Sequence, residues 1–414
     1  MTRCCASTRV GTTTTSIGTR ARVDRARVND ARGIRTRAAA RRCDGFRRAR
    51  DVRVDERRSL DVTMMPSMDV RRVTRVRTRR RASGASDAAA AASVGNGTTD
   101  AIATRELWRR AIKVPMYSVA WIPLVCAGAL TWCHVGRVGV ANAMELVAGA
   151  TLVVAWLNLS NDAFDAATTV DARKAESVVR LMGGKVLVVH ALAVACLVVG
   201  GVLLWNGCAA SAWARRALGA AVALGYAYQG PPFRLSYKGL GEPICFLAFG
   251  PLATTAFYLA MVNAVSATAV ASAPAVVYAT GVLVGCTTAF ILFTSHFHQE
   301  EGDRAAGKLS PIVRLGLPGA LLVADNVIGA HYATIATLAA AGWLPYTTVF
   351  ALIATYPLAR HIVDYSQAKA EAGRVSELFF AKYLAVRFHV VHGVALALGL
   401  VAQRALLSPE LFFP

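Results

Sequence analysis

Between residues 115 and 406 the chain carries nine apolar runs, most near the roughly 20 residues that a helix needs to cross a hydrocarbon core. No other feature restricts the fold so tightly, because backbone in lipid must satisfy its own hydrogen bonds, and a run of this length does so as a helix. The predicted spans are 115–134, 139–160, 185–205, 208–228, 243–262, 269–295, 318–342, 345–360 and 384–406. The fourth is interrupted near its start by Arg215 and Arg216, and the eighth is short. The expected class is an all-α polytopic membrane protein, in keeping with 55% apolar residues and a mean hydropathy of +0.42. There is no repeat of 20–50 residues that would indicate a solenoid.

The formal net charge of +21 is spread unevenly. Residues 1–100 hold 24 Arg, no Lys and 10 acids, and so contribute +14. Arginine with Thr, Ser and Ala, few acids and no long apolar run is the composition of an organelle transit peptide. Arginine runs such as RRVTRVRTRRR also attract polyanions, yet on a polytopic membrane protein targeting is the expected role, with no nucleic-acid partner. The domain division is therefore an Arg-rich transit peptide and linker over 1–100 and a transmembrane domain over 105–406. Nine cysteines without a CxxC pair give no zinc or redox signature.

Charge also tests the helix count. With nine alternating spans, 18 of the 22 Lys and Arg residues after residue 100 fall on one face and four on the other. That asymmetry supports the register and places the start of the first span on the basic side. The loops after spans two, four and six share that side, and they are the most polar segments: NLSNDAFDAATTVDARKAESVVR, YQGPPFRLSYKGLGE and SHFHQEEGDRAAGKLSPIVRLG.

In the first loop, Asn158, Asp162 and Asp165 are spaced i, i+4, i+7, which stacks them on one side of a helix end. Carboxylates on adjacent turns repel unless a cation lies between them. A hard divalent ion with oxygen ligands suits them, and Mg2+ binds through one or two carboxylates plus substrate phosphates. In the third loop a continued helix would set His296, Gln299, Glu300 and Asp303 on one face, whereas an end at Gly302 would free Glu301 to turn inward. Lys174, Arg180, Arg234, Lys238 and Lys308 beside these acids suggest a strongly anionic ligand such as a diphosphate. The middle loop combines Pro231-Pro232, Gly239, Gly241 and several aromatics, and could shield a reactive intermediate.

At these residues the sequence resembles the UbiA superfamily of intramembrane prenyltransferases. NDAFDAATTVD is similar to the first aspartate-rich motif of its 1,4-dihydroxy-2-naphthoate branch, which adds Asn161 and Asp171 as site residues. LSYKGLGE and GKLSPIVRLG resemble the same branch, and the full second and third loops are similar to its plant-type members, which attach a phytyl chain in phylloquinone synthesis. The second motif departs from DxxxD, with Gln299 where an aspartate is usual and only Asp303 kept.

The resemblance implies a nine-helix bundle around a central cavity and Mg2+-dependent prenyl transfer from a diphosphate, expected to be phytyl diphosphate, to 1,4-dihydroxy-2-naphthoate. It implies metal ligation by Asp162, Asp165 and Asp303 with Glu300 or Glu301. Asn158, Asn161, Asp171, Lys174, Arg180, Arg234 and Lys308 would hold the diphosphate, and Tyr228, Tyr237 or His298 would orient the acceptor. The expected setting is a chloroplast membrane, thylakoid or inner envelope, with the loops on the stromal face. Homogentisate prenyltransferase and chlorophyll synthase are the alternatives within the superfamily. An intramembrane cation transporter is the competing class, disfavoured because the acids sit at helix ends on one face and no inverted repeat is visible.

Overall fold

The computed structural model describes residues 105–166, 177–406, 412 and 413. The Arg-rich segment, Asp171 and Lys174 lie outside the described residues. Among those described, all regular structure is helical.

Helix α1 (Ser118–Val135) is followed by α2 (Val140–Asp165), a single turn α3 (Val178–Leu181), α4 (Val186–Gly207) and α5 (Ala212–Gln229). Then come α6 (Gly241–Val265), α7 (Ala275–Ser295), the short α8 (Glu300–Ala305) and α9 (Pro311–Ala340). The chain ends in α10 (Tyr346–Ile353), α11 (Tyr356–Glu371), a 3-10 turn at Val375–Phe380 and α12 (Ala381–Leu406).

Seven of these helices are long and apolar enough to cross a membrane, and the protein is a multi-pass membrane protein. The predicted fourth and eighth spans also form helices without reaching that length and apolarity. In α5 the pair Arg215 and Arg216 lowers the apolarity, and Arg215 lies over Trp205 at 4.5 Å. The eighth divides at Ala354 and Thr355 into α10 and α11, with Pro357 in the first turn of α11, where its missing N–H costs least.

Packing follows small residues, because apolar contact gives helices in lipid little reason to associate unless their backbones approach closely. Gly149 of α2 faces Gly200 of α4, and a Cβ on either would lie within 3.0 Å of the other's carbonyl oxygen. The α6–α7 pair repeats the device: a π-turn at Ala248–Leu252, containing Pro251, brings Gly250 against Gly281 and Gly285. Helices α1, α6, α7 and α12 bury most of the core, while Leu187, Val194, Val198 and Val202 on α4 stay exposed, as lipid-facing side chains do.

Candidate active site

Helix α2 runs without interruption through Asn158, Asp162 and Asp165, so the three residues do share one face of its last turns. Asp162 is 3% exposed and Asp165 8%. Burying a carboxylate is costly unless it is paired or hydrogen-bonded; Asp162 is both, and Asp165 is held by hydrogen bonds. Asp162 Oδ1 lies 3.2 Å from Lys113 Nζ, and its Oδ2 accepts from the backbone N–H of Val178 at 3.0 Å. Asp165 accepts from the Tyr237 hydroxyl at 3.3 Å and from the Asn161 amide at 3.4 Å. Asn158 stands beside Tyr117, its Nδ2 buried without a hydrogen-bond partner.

The third loop does not continue α7. That helix stops at Ser295, residues 296–299 turn, and α8 begins at Glu300 and runs through Gly302, so Gly302 ends nothing. The consequence falls on the acids. Asp303 is 4% exposed, whereas Glu300 pairs with Arg304 at 2.7 Å and Glu301 faces outward. Asp303 Oδ1 lies 3.5 Å from Lys308 Nζ, and its Oδ2 is buried with no hydrogen-bond partner. Lys308 also reaches His296 Nε2 at 3.3 Å, and His296 Nδ1 is 3.2 Å from Glu242 Oε1 at the start of α6. A line of charged and polar side chains thus joins the third loop to the second.

The loops are tied together through backbone as well. Leu309 N–H donates to Tyr237 O at 2.8 Å, and the Arg314 guanidinium donates to Lys238 O at 2.7 Å. Gly239, at φ 74, sits where a Cβ would fall 2.5 Å from Leu309 O, so this junction requires glycine. Through Tyr237 the same junction reaches Asp165. Arg234 stacks on the Tyr237 ring at 5.8 Å, and Tyr228 packs against Gly241, within electrostatic range of Glu242, Asp165 and Asp303. Arg180 is exposed two residues beyond Val178.

Among the described residues, no three His, Cys, Asp or Glu side chains cluster closely enough to hold a metal by themselves. The donor set still suits a hard ion of the Mg2+ kind, which takes one or two carboxylates and completes its shell with water and substrate oxygens. The unpartnered Oδ2 of Asp303 is the acceptor in search of such a partner.

Residues 120–383 match the model of the UbiA prenyltransferase family. The chain belongs to that family. It is 41% identical over 300 residues to a chloroplastic 2-carboxy-1,4-naphthoquinone phytyltransferase of Arabidopsis thaliana, covering 72% of this chain and 77% of that one. It is 38% identical over 306 residues to a 2-carboxy-1,4-naphthoquinone phytyltransferase of Synechocystis sp., covering 72% and 94%. The fold is that of a UbiA homologue from Aeropyrum pernix K1, at TM-score 0.50, 19% identity, and 69% and 98% coverage. A UbiA homologue from Archaeoglobus fulgidus, solved with DMAPP and Mg2+, aligns at TM-score 0.43 and 16% identity, covering 69% and 97%.

Two members of the site escape sequence reasoning. Lys113 lies 49 residues before its partner Asp162 and reads as one more positive charge ahead of a span. Its one local signal is position at the basic edge of α1; its φ of 55 becomes visible only in the fold. Glu242 looks like an ordinary acid in the first turn of a helix, where the dipole favours it, until His296 is placed against it.

Proposed function

We propose that this UbiA-family protein transfers the C20 group of phytyl diphosphate to 1,4-dihydroxy-2-naphthoate, with loss of the acceptor's carboxylate, in phylloquinone synthesis. The observation that carries this reading is the 41% identity to the plant phytyltransferase, supported by three buried aspartates on two helices at one polar face. Asp162, Asp165 and Asp303 are the residues that would hold Mg2+, which supplies charge neutralisation for a departing diphosphate. Glu300 and Glu301 are the less favoured ligands, the first engaged by Arg304 and the second turned outward.

Lys113 and Lys308 hold positive charge beside Asp162 and Asp303, where it can stabilise negative charge developing on the leaving group. Asn158 offers a buried donor on the same face. Lys174, Arg180 and Arg234 add charge from the loops, and Asn161 and Tyr237 fix the Asp165 carboxylate. In the transfer, the allylic C–O bond breaks and the diphosphate departs with the electron pair. The ring carbon bearing the carboxylate then bonds to the allylic carbon. The C–C bond to that carboxylate breaks in turn, CO2 leaves, and its electron pair restores the aromatic ring. The product is a hydroquinone, so the balance requires no oxidant. The hydrocarbon tail is suited by the apolar bundle. Tyr228 and His298 are candidates for orienting the acceptor.

The Arg-rich first 100 residues and the chloroplastic relative support a chloroplast membrane location, thylakoid or inner envelope, with the carboxylate face on the stromal side. The test is to incubate membranes containing the protein with labelled phytyl diphosphate, Mg2+ and one acceptor at a time. Dihydroxynaphthoate should be prenylated; preference for homogentisate or chlorophyllide would assign the chain to another branch.

A further inference from the structure

Asp303, the acid that keeps an unused oxygen, is set against a lysine by the way its own helix ends. Helix α8 closes in a Schellman motif, with Gly307 at φ 68 just beyond the cap residue Ala306. The Gly307 N–H donates to Arg304 O at 3.1 Å, and the Lys308 N–H donates to Asp303 O at 2.8 Å. This turn folds the chain back on its last helical turn, so local backbone alone brings Lys308 beside Asp303.

Nothing in the turn stops the two charges from closing on each other. A closed ammonium–carboxylate hydrogen bond is about 2.7–2.9 Å long. Lys308 Nζ nevertheless stays 3.5 Å from Asp303 Oδ1, and Oδ2 has no partner. The ammonium is shared with His296, whose Nε2 lies at 3.3 Å. An ammonium can only donate, so Nε2 is the bare nitrogen of a neutral ring and the proton is on Nδ1.

That Nδ1 lies 3.2 Å from Glu242 Oε1, within ion-pair distance but off the angle of a hydrogen bond, and both atoms are buried without a hydrogen-bond partner. A carboxylate behind Nδ1 favours the tautomer that keeps Nε2 bare. His296 caps the end of α7 and Glu242 stands in the first turn of α6, so the acceptor that faces Lys308 is fixed from two helices.

We infer that His296, with Glu242 behind it, is a positioning residue that holds Lys308 off Asp303. The inference rests on the prenyl-transfer reading and concerns the same site. A lysine shared in this way keeps its charge available to a phosphate oxygen, while Asp303 keeps Oδ2 for the metal. Released from His296, the ammonium would close on the carboxylate, and a divalent ion would have to displace it.

The test is Mg2+-dependent binding of inorganic pyrophosphate to the full-length protein in lipid nanodiscs, followed by calorimetry with no acceptor present. His296→Leu should raise the Mg2+ concentration needed for half-maximal pyrophosphate binding by about tenfold, the effect of losing one hydrogen bond to a charged group. His296→Gln, whose amide oxygen can accept from the same ammonium, should stay within about threefold of wild type. Lys308→Met binds pyrophosphate more weakly from the start, and adding His296→Leu to it should change the Mg2+ requirement by about twofold or less, because no ammonium is left to hold. Glu242→Leu should shift the requirement in the same direction by a smaller factor, again only where Lys308 is present, and covers the case in which His296→Leu fails to fold. An unchanged Mg2+ requirement in His296→Leu would overturn the inference. So would an effect of equal size with and without Lys308, or a His296→Gln variant as impaired as His296→Leu, either of which makes His296 a packing residue. Pyrophosphate binding that follows these expectations with no prenylated naphthoate formed would support the positioning role and count against the prenyl-transfer reading alone.

Discussion

The two ends of the helix bundle are both polar, and they handle polarity in opposite ways. At the end away from the carboxylates, Arg and His side chains close helix ends, and the buried atom left without a partner there, Asn142 Oδ1, belongs to a neutral amide. Arg404 donates to Cys133 O at 2.8 Å, Arg137 donates to Val265 O, and His134 meets the Tyr258 hydroxyl at 2.7 Å while Phe413 stacks on its ring. Each interaction satisfies a carbonyl or a ring that the helix termini would otherwise leave without a partner. At the carboxylate end, by contrast, one buried aspartate is only partly satisfied: Asp303 Oδ2, like Asn158 Nδ2 and Ser310 Oγ, has no hydrogen-bond partner. Cations stand beside two of the acids without saturating them. A fold tolerates such orphaned groups where something else is to be bound. The difference between the ends therefore separates function from capping more sharply than polarity alone.

The strongest way to break that comparison is to remove the acids. Asp162→Ala and Asp165→Ala are each expected to lower prenyl transfer by about 10³-fold or more, on the scale of lost electrostatic stabilisation in a dry site. The measurement is labelled-product formation in membranes where insertion and thermal unfolding match wild type. Activity that survives in either variant and persists with Mg2+ chelated would remove the metal assignment. Asp303→Asn should fall in the same range, and Glu301→Gln within about twofold of wild type, since one side chain is buried and the other faces outward. Parity between those two variants would mean that α8 turns over when substrate binds.

Lys113→Met sharpens the comparison at a second level. It leaves Asp162 buried with one bond, from the Val178 N–H, so transfer should drop by about 10- to 100-fold, with a loss of stability because the remaining charge is uncompensated. The diagnostic readout is partial recovery in the double variant Lys113→Met with Asp162→Asn: thermal stability should return while activity does not. A double variant as unstable as the single one would make Lys113 a packing residue.

That lysine also marks how far sequence reasoning reaches. The helices were legible because lipid imposes one length and one kind of hydrogen bonding on every span. The Asn158, Asp162 and Asp165 face was legible because it lies within one helix, where spacing determines direction. The third loop was not. Whether α7 continued past Ser295 could not be decided from EEG, and the outcome determines which acid turns inward. Lys113 and Glu242 were hidden for a related reason: their partners, Asp162 and His296, are 49 and 54 residues away in sequence, and only the bundle brings them together.

The smallest expected effect comes from the opposite end, and it makes the comparison a fair one. Arg404→Gln removes the donor to Cys133 O and the guanidinium that lies against Gly136, without approaching any carboxylate. A hydrogen bond from a charged donor to a partly buried carbonyl is worth about 1–3 kcal/mol. The variant should therefore unfold at a lower temperature in detergent, yet retain kcat and the KM for prenyl diphosphate within about twofold at a temperature where it is folded. If Arg404→Gln instead lowered kcat by tenfold with little change in unfolding, the ends of the bundle would be coupled. The C-terminal contacts around Phe413 would then have to be counted as part of the catalytic machinery rather than as a cap.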